Sequence, residues 1–110
     1  MKLQEVRKVA EKEVEELKKN LVELLKKPFQ GYAFSLEEKN QLIKESKVAG
    51  SFPLKEEELK AIQELNYHDV YNESVESLAK EAAEAVFEDA EASCTLNDNG
   101  ILKFELKIKQ

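Results

Sequence analysis

The chain is poor in the residues that build metal sites, disulfides and phosphate-binding loops. Its 110 residues include one cysteine, one histidine, three glycines, one arginine and no tryptophan. One cysteine cannot form an internal disulfide, and one histidine with one cysteine cannot supply the four N or S ligands of a structural zinc site. The chain also lacks a GxxxxGK[ST] or GxGxxG motif, which argues against a nucleotide-binding loop. The sequence therefore predicts no metal and no cofactor.

Charged residues are numerous and almost all of two kinds. They make up 36% of the chain, and 23 acidic residues against 17 basic ones give a net charge of −6. All but one of the basic residues are lysine, whereas arginine is the residue best suited to bidentate phosphate binding. A chain of this net charge is repelled at long range by a phosphate backbone. We therefore expect no direct binding to nucleic acid.

The N-terminal sequence is charged throughout, and no apolar run approaches the roughly 18 residues that indicate a transmembrane helix. Neither a signal peptide nor a membrane span is expected. A single cysteine carries no signature of an oxidising compartment. We expect a cytoplasmic protein that does not associate with a membrane.

The spacing of apolar residues predicts four helices in a single domain (1–110). In the first helix, apolar residues recur at three- and four-residue steps from Leu3 onward. This helix is expected to end at Pro28, since the residue before a proline disfavours helical dihedral angles. Ser35 and Glu38 have the spacing of a capping box, which begins the second helix. The expected helices cover about residues 2–27, 35–47, 55–65 and 72–91.

Finer expectations concern the second and fourth helices. Residues 48–53 (VAGSFP) are expected to form a loop after the second helix. The fourth helix carries three alanines on its apolar stripe, which favours close approach of a neighbouring element, and either Asp69 or Asn72 is expected to cap it. Three apolar residues of the second helix are expected to face the core: Leu36, Leu42 and Ile43.

At the C-terminus the apolar period changes from 3.6 to 2, which predicts a β-hairpin with strands at about 92–97 and 101–109. The loop Asp98-Asn99-Gly100, with its glycine in the left-handed conformation, is a common hairpin connection that places every apolar side chain on one face. The predicted fold class is α+β, with about four helices packed against a C-terminal antiparallel hairpin. The pairs expected from this turn are Leu96 with Leu102, Cys94 with Phe104, and Ala92 with Leu106.

The residues that most resemble catalytic groups are His68, next to Tyr67 and Asp69, and Cys94. Neighbours in sequence seldom face one another, so Asp69 is not expected to orient the imidazole. Cys94 points into the predicted core, where a thiol is inert. Nucleophilic catalysis needs a nucleophile, a base and an orienting group together. We therefore expect a protein that is not an enzyme.

Acidic residues concentrate on the predicted fourth helix, and residues 72–98 carry eight acidic side chains and one basic one. Along that helix successive carboxylates are separated by roughly 4.5–6 Å, except across Lys80, a spacing comparable to that of phosphates along a nucleic-acid strand. Such a stripe suits a basic protein partner; the alternative is an ordinary solvated helix face. The expected stripe consists of Glu73, Glu76, Glu84, Glu88 and Glu91.

An aromatic segment, PFQGYAF, occupies residues 28–34. Its rings, Phe29, Tyr32 and Phe34, are expected to fold back over the end of the first helix as a small core. The alternative interpretation is that these rings form a contact surface for a partner. They are therefore candidate partner-binding residues together with the acidic stripe.

These patterns favour a small non-enzymatic protein-binding module that presents an acidic helix face to a basic partner. Inhibitors, immunity proteins and phage-encoded modulators of host proteins share this size and charge, a comparison by class alone. The alternative is a structural or assembly subunit that oligomerises through the first helix or the hairpin edge. Because about two heptads support helix pairing, we expect a monomer or a weak homodimer.

Overall fold

The computed structural model describes residues 1–68 and 74–110, and these residues have the predicted α+β architecture. Four helices accompany a three-stranded antiparallel sheet with the strand order β1-β3-β2. The elements in chain order are α1 (Leu3–Gln30), α2 (Leu36–Glu45), β1 (Lys47–Pro53), α3 (Glu56–Asn66), α4 (Val75–Val86), β2 (Ala90–Leu96) and β3 (Ile101–Ile108).

The C-terminal hairpin has the predicted register. Gly100 adopts a φ of 76°, the left-handed conformation that glycine takes without steric cost. The Asn97 side chain accepts hydrogen bonds from the backbone N–H groups of Asn99 and Ile101, which holds the turn in shape. As predicted, the strands pair Leu96 with Leu102, Cys94 with Phe104, and Ala92 with Leu106.

The sheet has a third strand that the sequence did not predict. Residues 47–53, expected to be largely a loop, form β1, which pairs with β3 so that β3 is central. The hairpin is thus not the whole sheet. Val48 and Phe52 are buried on the core face, with Gly50 between them. This period-2 pattern is short and contains a glycine and a terminal proline, so it resembles a loop until the distant strand β3 is available to pair with it.

Helix α1 continues past the proline that was expected to end it. Pro28 lies inside the last turn, and the helix ends at Gln30. A proline costs helix stability through its missing N–H and through steric conflict with the preceding turn. Phe29 offsets this cost because its side chain is only 1% exposed and its ring contacts those of Phe52, Phe87 and Phe104.

The ends of α2 and α4 also differ from prediction. Leu36 and Ile43 of α2 were expected in the core but are 75% and 81% exposed, because α2 contacts mainly β1 and turns only Leu42 inward. Helix α4 ends at Val86 rather than near residue 91, since the chain turns and enters β2. Ser74 caps α4 by accepting from the Ser77 N–H. The expected caps Asp69 and Asn72 lie outside the described residues.

The core lies between one face of the sheet and helices α1, α3 and α4. Helix α4 packs against both α1 and β2. Its buried residues are Leu78, Ala79, Ala82 and Ala83. Ala90, the third alanine of the predicted stripe, lies in β2 instead. The opposite face of the sheet is open, with Lys103, Glu105 and Lys107 of β3 exposed along its centre. Of the helices in the described part of the chain, none combines the length and apolar composition needed to cross a bilayer.

Candidate functional site

Two carboxylates of the predicted acidic stripe are engaged with the edge of the sheet. Glu84 Oε2 accepts a hydrogen bond from the Ala92 backbone N–H at 2.9 Å, and Glu76 Oε2 accepts one from the Leu96 N–H at 3.0 Å. Ala92 and Leu96 are four residues apart on β2, so their N–H groups point to the same side of the strand. That side is the outer edge of the sheet, because β3 pairs with the other side.

Lys80 lies between these two carboxylates along α4. Its ammonium group contacts Glu84 Oε2 at 2.5 Å. This hydrogen bond, followed by the one from the Ala92 N–H, holds the pKa of Glu84 below its usual range, and the same contact raises the pKa of Lys80. Glu84 is thus held as a carboxylate with two donors, which fixes its position relative to β2.

The remaining members of the predicted stripe do not continue it. Glu88 is exposed in the turn after α4, and Glu91 is exposed on β2 opposite Lys107. The expectation of one helical stripe was wrong for these two because α4 ends at Val86, so the helical period does not extend to them. Glu73 lies outside the described residues. The carboxylates therefore surround the β2 edge rather than form a row on one helix.

The aromatic residues pack against one another rather than standing free on the surface. Phe29 belongs to α1 and is buried, whereas Tyr32 and Phe34 are half-buried with their ring centroids 4.9 Å apart in an edge-to-face arrangement. Tyr32 also meets the Phe104 ring edge-to-face at 5.0 Å. This arrangement agrees with the first interpretation of the segment, a small core over the end of α1.

The Tyr32 hydroxyl donates a hydrogen bond to Glu38 Oε2 at 2.7 Å. Burial, and after it this hydrogen bond, raises the pKa of Tyr32. The other oxygen of Glu38 accepts from the Ser35 N–H at 2.8 Å, completing the predicted capping box of α2. That backbone donor, with Tyr32 as the second contributor, lowers the pKa of Glu38. One carboxylate thus connects the aromatic cluster to the start of α2.

Cys94 on β2 and His68 after α3, the residues that most resemble catalytic groups, are not part of a common reactive site. The Cys94 thiol is buried as expected, and burial raises its pKa to about 11. His68 is half-buried beside α1, where it lines a shallow depression with Glu13 and Glu16. Within residues 1–68 and 74–110, no three histidine, cysteine, aspartate or glutamate side chains converge as a metal site would require.

An exposed apolar surface lies on the first half of α1, where the apolar spacing predicted either a buried face or a surface for oligomerisation. Every residue from Met1 to Glu13 is exposed, whereas α1 becomes buried from Val14 onward. We call residues 1–13 the α1 arm. Its apolar side chains remain uncovered: Leu3 is 85% exposed, Val6 46% and Val9 58%. The 61 × 31 × 19 Å extents of the molecule reflect this projection.

The arm was missed because its apolar residues continue the same stripe that enters the core. Leu3, Val6 and Ala10 have the same three- and four-residue spacing as Val14 and its successors, so periodicity alone predicts one continuous buried face. The feature that distinguishes the exposed arm from the buried part of the helix is the length of the helix. A 28-residue helix is about 42 Å long at 1.5 Å per residue, longer than this small core can cover.

The sequence matches no protein-family model, and comparison with curated proteins and with solved structures gives no match. What the chain does must therefore be inferred from its own surfaces.

Proposed function

We propose that this chain is a non-enzymatic protein-binding module that docks through the α1 arm onto another α-helix. The observation that carries the proposal is the uncovered apolar stripe of the arm, with Leu3, Val6 and Val9 all exposed on an ordered helix. An amphipathic helix of this kind binds by placing its apolar side chains against a partner helix or groove. This surface favours an assembly function over binding through the acidic face alone.

The buried part of α1 holds the arm in a helical conformation before a partner binds. An isolated helix shorter than about 12–15 residues is marginally stable in water because its first turn is costly to form. In this chain the second half of α1 is already helical, because Val14, Leu21 and Leu25 are buried in the core, and the arm continues that helix. The arm is therefore helical before it meets a partner, which reduces the ordering entropy lost on association.

The experiment compares two double variants of α1 in an affinity purification from the source cells. In Leu3→Gln/Val6→Gln the apolar stripe is removed. In the control, Lys8→Gln/Glu15→Gln, two charges on the opposite side are removed, about 180° from Val6 at 3.6 residues per turn. Both variants keep the net charge at −6, because the control removes one charge of each sign.

We expect both variants to unfold at the wild-type urea midpoint, since all four positions are exposed. Proteins that co-purify with the wild type, including further copies of this chain, are expected to be lost only with the Leu3→Gln/Val6→Gln variant. Equal recovery of those proteins with both double variants would contradict the proposed function.

A second candidate is binding of a basic protein by the acidic surface around α4 and β2. Between residues 74 and 91 there are six carboxylates and one lysine, a net charge of −5 out of −6 for the whole chain. Glu81, Glu88 and Glu91 are exposed, so they remain accessible to a partner while Glu76 and Glu84 hold the sheet edge. Charge of one sign speeds association with an oppositely charged protein in a salt-dependent way.

Charge neutralisation tests this second candidate without disturbing the sheet edge. The variant Glu81→Gln/Glu88→Gln removes two exposed charges near β2, and the control Glu37→Gln/Glu57→Gln removes two exposed charges elsewhere. If the acidic surface binds a basic partner, only the first variant is expected to reduce the association rate and its salt dependence. Equal rates for both variants would contradict an acidic binding surface.

A further inference from the structure

The charges along the α1 arm are segregated by sign. Residues 1–8 carry Lys2, Arg7 and Lys8 against Glu5, a net charge of +2. Residues 9–13 carry one lysine against two glutamates, a net charge of −1, and Glu15 and Glu16 follow directly on the buried part of α1. The apolar stripe runs through both halves. The helix therefore has a basic outer end and an acidic inner end on either side of one uncovered apolar surface.

From this distribution we infer that the partner of the arm is the arm of a second copy of the chain, paired antiparallel. The inference rests on the proposed function, since it names the helix onto which the arm docks. Antiparallel pairing places the basic end of each arm beside the acidic end of the other. Parallel pairing would place like charges together along the whole contact, which disfavours it.

The arm length selects a register. When Leu3 of one copy is level with Ala10 of the other, Lys2 lies about 3 Å along the axis from Glu13 of the other copy, because both helices rise 1.5 Å per residue in opposite directions. Glu13 lies on the same side of the arm as Val6 and Val9, so it faces the contact. The two-fold symmetry of such a pair makes this contact twice. Met1 of one copy is then level with Lys12 of the other, so the overlap ends before Val14, where the folded body of the partner begins.

The small size of this contact predicts a weak dimer. Each arm contributes five apolar side chains, Met1, Leu3, Val6, Val9 and the small Ala10. Such an area falls below the roughly 1,200 Å² of total buried surface at which standard interfaces begin. The pair is therefore a weak, concentration-dependent dimer that forms and dissociates readily. The free β2 edge is not an equal route to assembly, because Glu76 and Glu84 already occupy the N–H groups of Leu96 and Ala92.

Sedimentation equilibrium of the purified full-length chain, from low to high micromolar concentration, tests the inference. The wild type is expected to shift from 12.6 kDa towards twice that mass as concentration rises. Leu3→Gln/Val6→Gln is expected to remain monomeric, whereas Lys8→Gln/Glu15→Gln is expected to dimerise. A wild type that stays at the monomer mass throughout, or a Leu3→Gln/Val6→Gln variant that dimerises as the wild type does, would overturn the second-copy pairing.

Two charge reversals test the antiparallel register. Lys2→Glu alone and Glu13→Lys alone each place like charges beside one another, and each is expected to raise the dissociation constant about three- to tenfold. An equimolar mixture of the two variants pairs opposite charges again and is expected to form a heterodimer at least as strong as the wild-type dimer. The double variant Lys2→Glu/Glu13→Lys is expected to dimerise as the wild type does. A mixture that sediments as two independent species would overturn the register.

These outcomes separate the two proposals. If the wild type is monomeric but Leu3→Gln/Val6→Gln still loses the co-purifying proteins, the partner is not a second copy. The arm then remains a binding surface for a helix of another protein. A wild type that dimerises equally well with and without the apolar stripe overturns both. Circular dichroism and urea unfolding of each variant show whether the body is folded, and the arm residues lie outside the core on which folding depends.

Discussion

Glu84 on α4 accepts a hydrogen bond from the backbone N–H of Ala92 on β2, eight residues further along the chain. Glu76 does the same for Leu96. An edge strand offers unpaired N–H groups that can recruit another strand, and proteins protect such edges with charge or by covering them. Here the acidic residues of one helix perform both tasks for β2. Part of the acidity that suggests a binding surface therefore has a structural role.

Replacing Glu84 is expected to destabilise the protein more than its surface position suggests. Glu84→Ala removes the acceptor from the N–H of Ala92, a buried residue, and is expected to reduce the free energy of unfolding by about 1–2 kcal/mol. Glu84→Gln keeps a side-chain oxygen and is expected to lose less. The exposed neighbour Glu81 provides the control, since Glu81→Ala is expected to change stability by at most about 0.5 kcal/mol. Urea unfolding that shows equal losses for Glu84→Ala and Glu81→Ala would contradict this role.

Local patterns predicted the parts of the fold that depend on neighbouring residues. The hairpin follows from alternation and from a glycine that must be left-handed, and both signals lie within 20 residues. The capping box at Ser35 is equally local. These features were predictable because the interactions that fix them span a few positions.

Features that depend on distant partners were not predictable in the same way. Strand β1 is a strand because β3, some fifty residues later, pairs with it. Helix α1 passes Pro28 because Phe29 finds three aromatic rings from other elements. Within residues 1–68 and 74–110, no helix or strand covers the apolar stripe of the α1 arm, which the spacing of Leu3 and Val6 cannot reveal. For the candidate site, composition located the acidity, but only the contact of Glu84 with β2 showed its role.

Gly50 lies where a side chain has no room. A Cβ atom there would be 2.6 Å from the Tyr32 Oη and 2.7 Å from the Phe104 Cζ, and both rings are packed within the aromatic cluster. Gly50→Ala is therefore expected to lower the free energy of unfolding by about 1–3 kcal/mol through overpacking. Urea unfolding measures the loss.

Gly31 is the matched control for that substitution. It follows α1, its φ is −90°, and an added Cβ would meet only the Lys27 carbonyl oxygen at an ordinary 3.5 Å. Gly31→Ala is expected to leave stability within about 0.5 kcal/mol or to raise it slightly, because alanine restricts the unfolded chain. Equal destabilisation by the two substitutions would show that the Tyr32 and Phe104 rings give way at Gly50.

The Cys94 thiol is expected to resist alkylation in the native protein. Burial raises its pKa from 9.0 to about 11, with the nearby Lys80 charge acting in the opposite direction. A rise of two units lowers the reactive thiolate fraction about a hundredfold near neutral pH, and burial restricts access further. Iodoacetamide is expected to modify Cys94 at least about a hundred times more slowly in the native state than in urea. Equal rates would contradict a closed core at this position.

The last prediction concerns acid stability. The pKa values of Glu38 and Glu84 are both lowered in the folded protein, Glu38 chiefly by the Ser35 N–H and Glu84 chiefly by Lys80. The unfolded chain therefore binds protons more readily at these groups, and their contribution to stability is complete above the ordinary glutamate pKa of 4.5. It is lost as the pH falls through the lower folded values. Both side chains contact solvent, so each contribution is small.

Urea midpoints measured from neutral pH down through this acidic range test the prediction. The double variant Glu38→Gln/Glu84→Gln is expected to be less stable than the wild type at neutral pH and to lose less stability on acidification, so that the two curves converge. The control Glu37→Gln/Glu81→Gln removes the same number of exposed charges and is expected to run parallel to the wild type. If the first variant also runs parallel to the wild type, its carboxylates carry no special stabilisation. The acid sensitivity would then have to come from other groups.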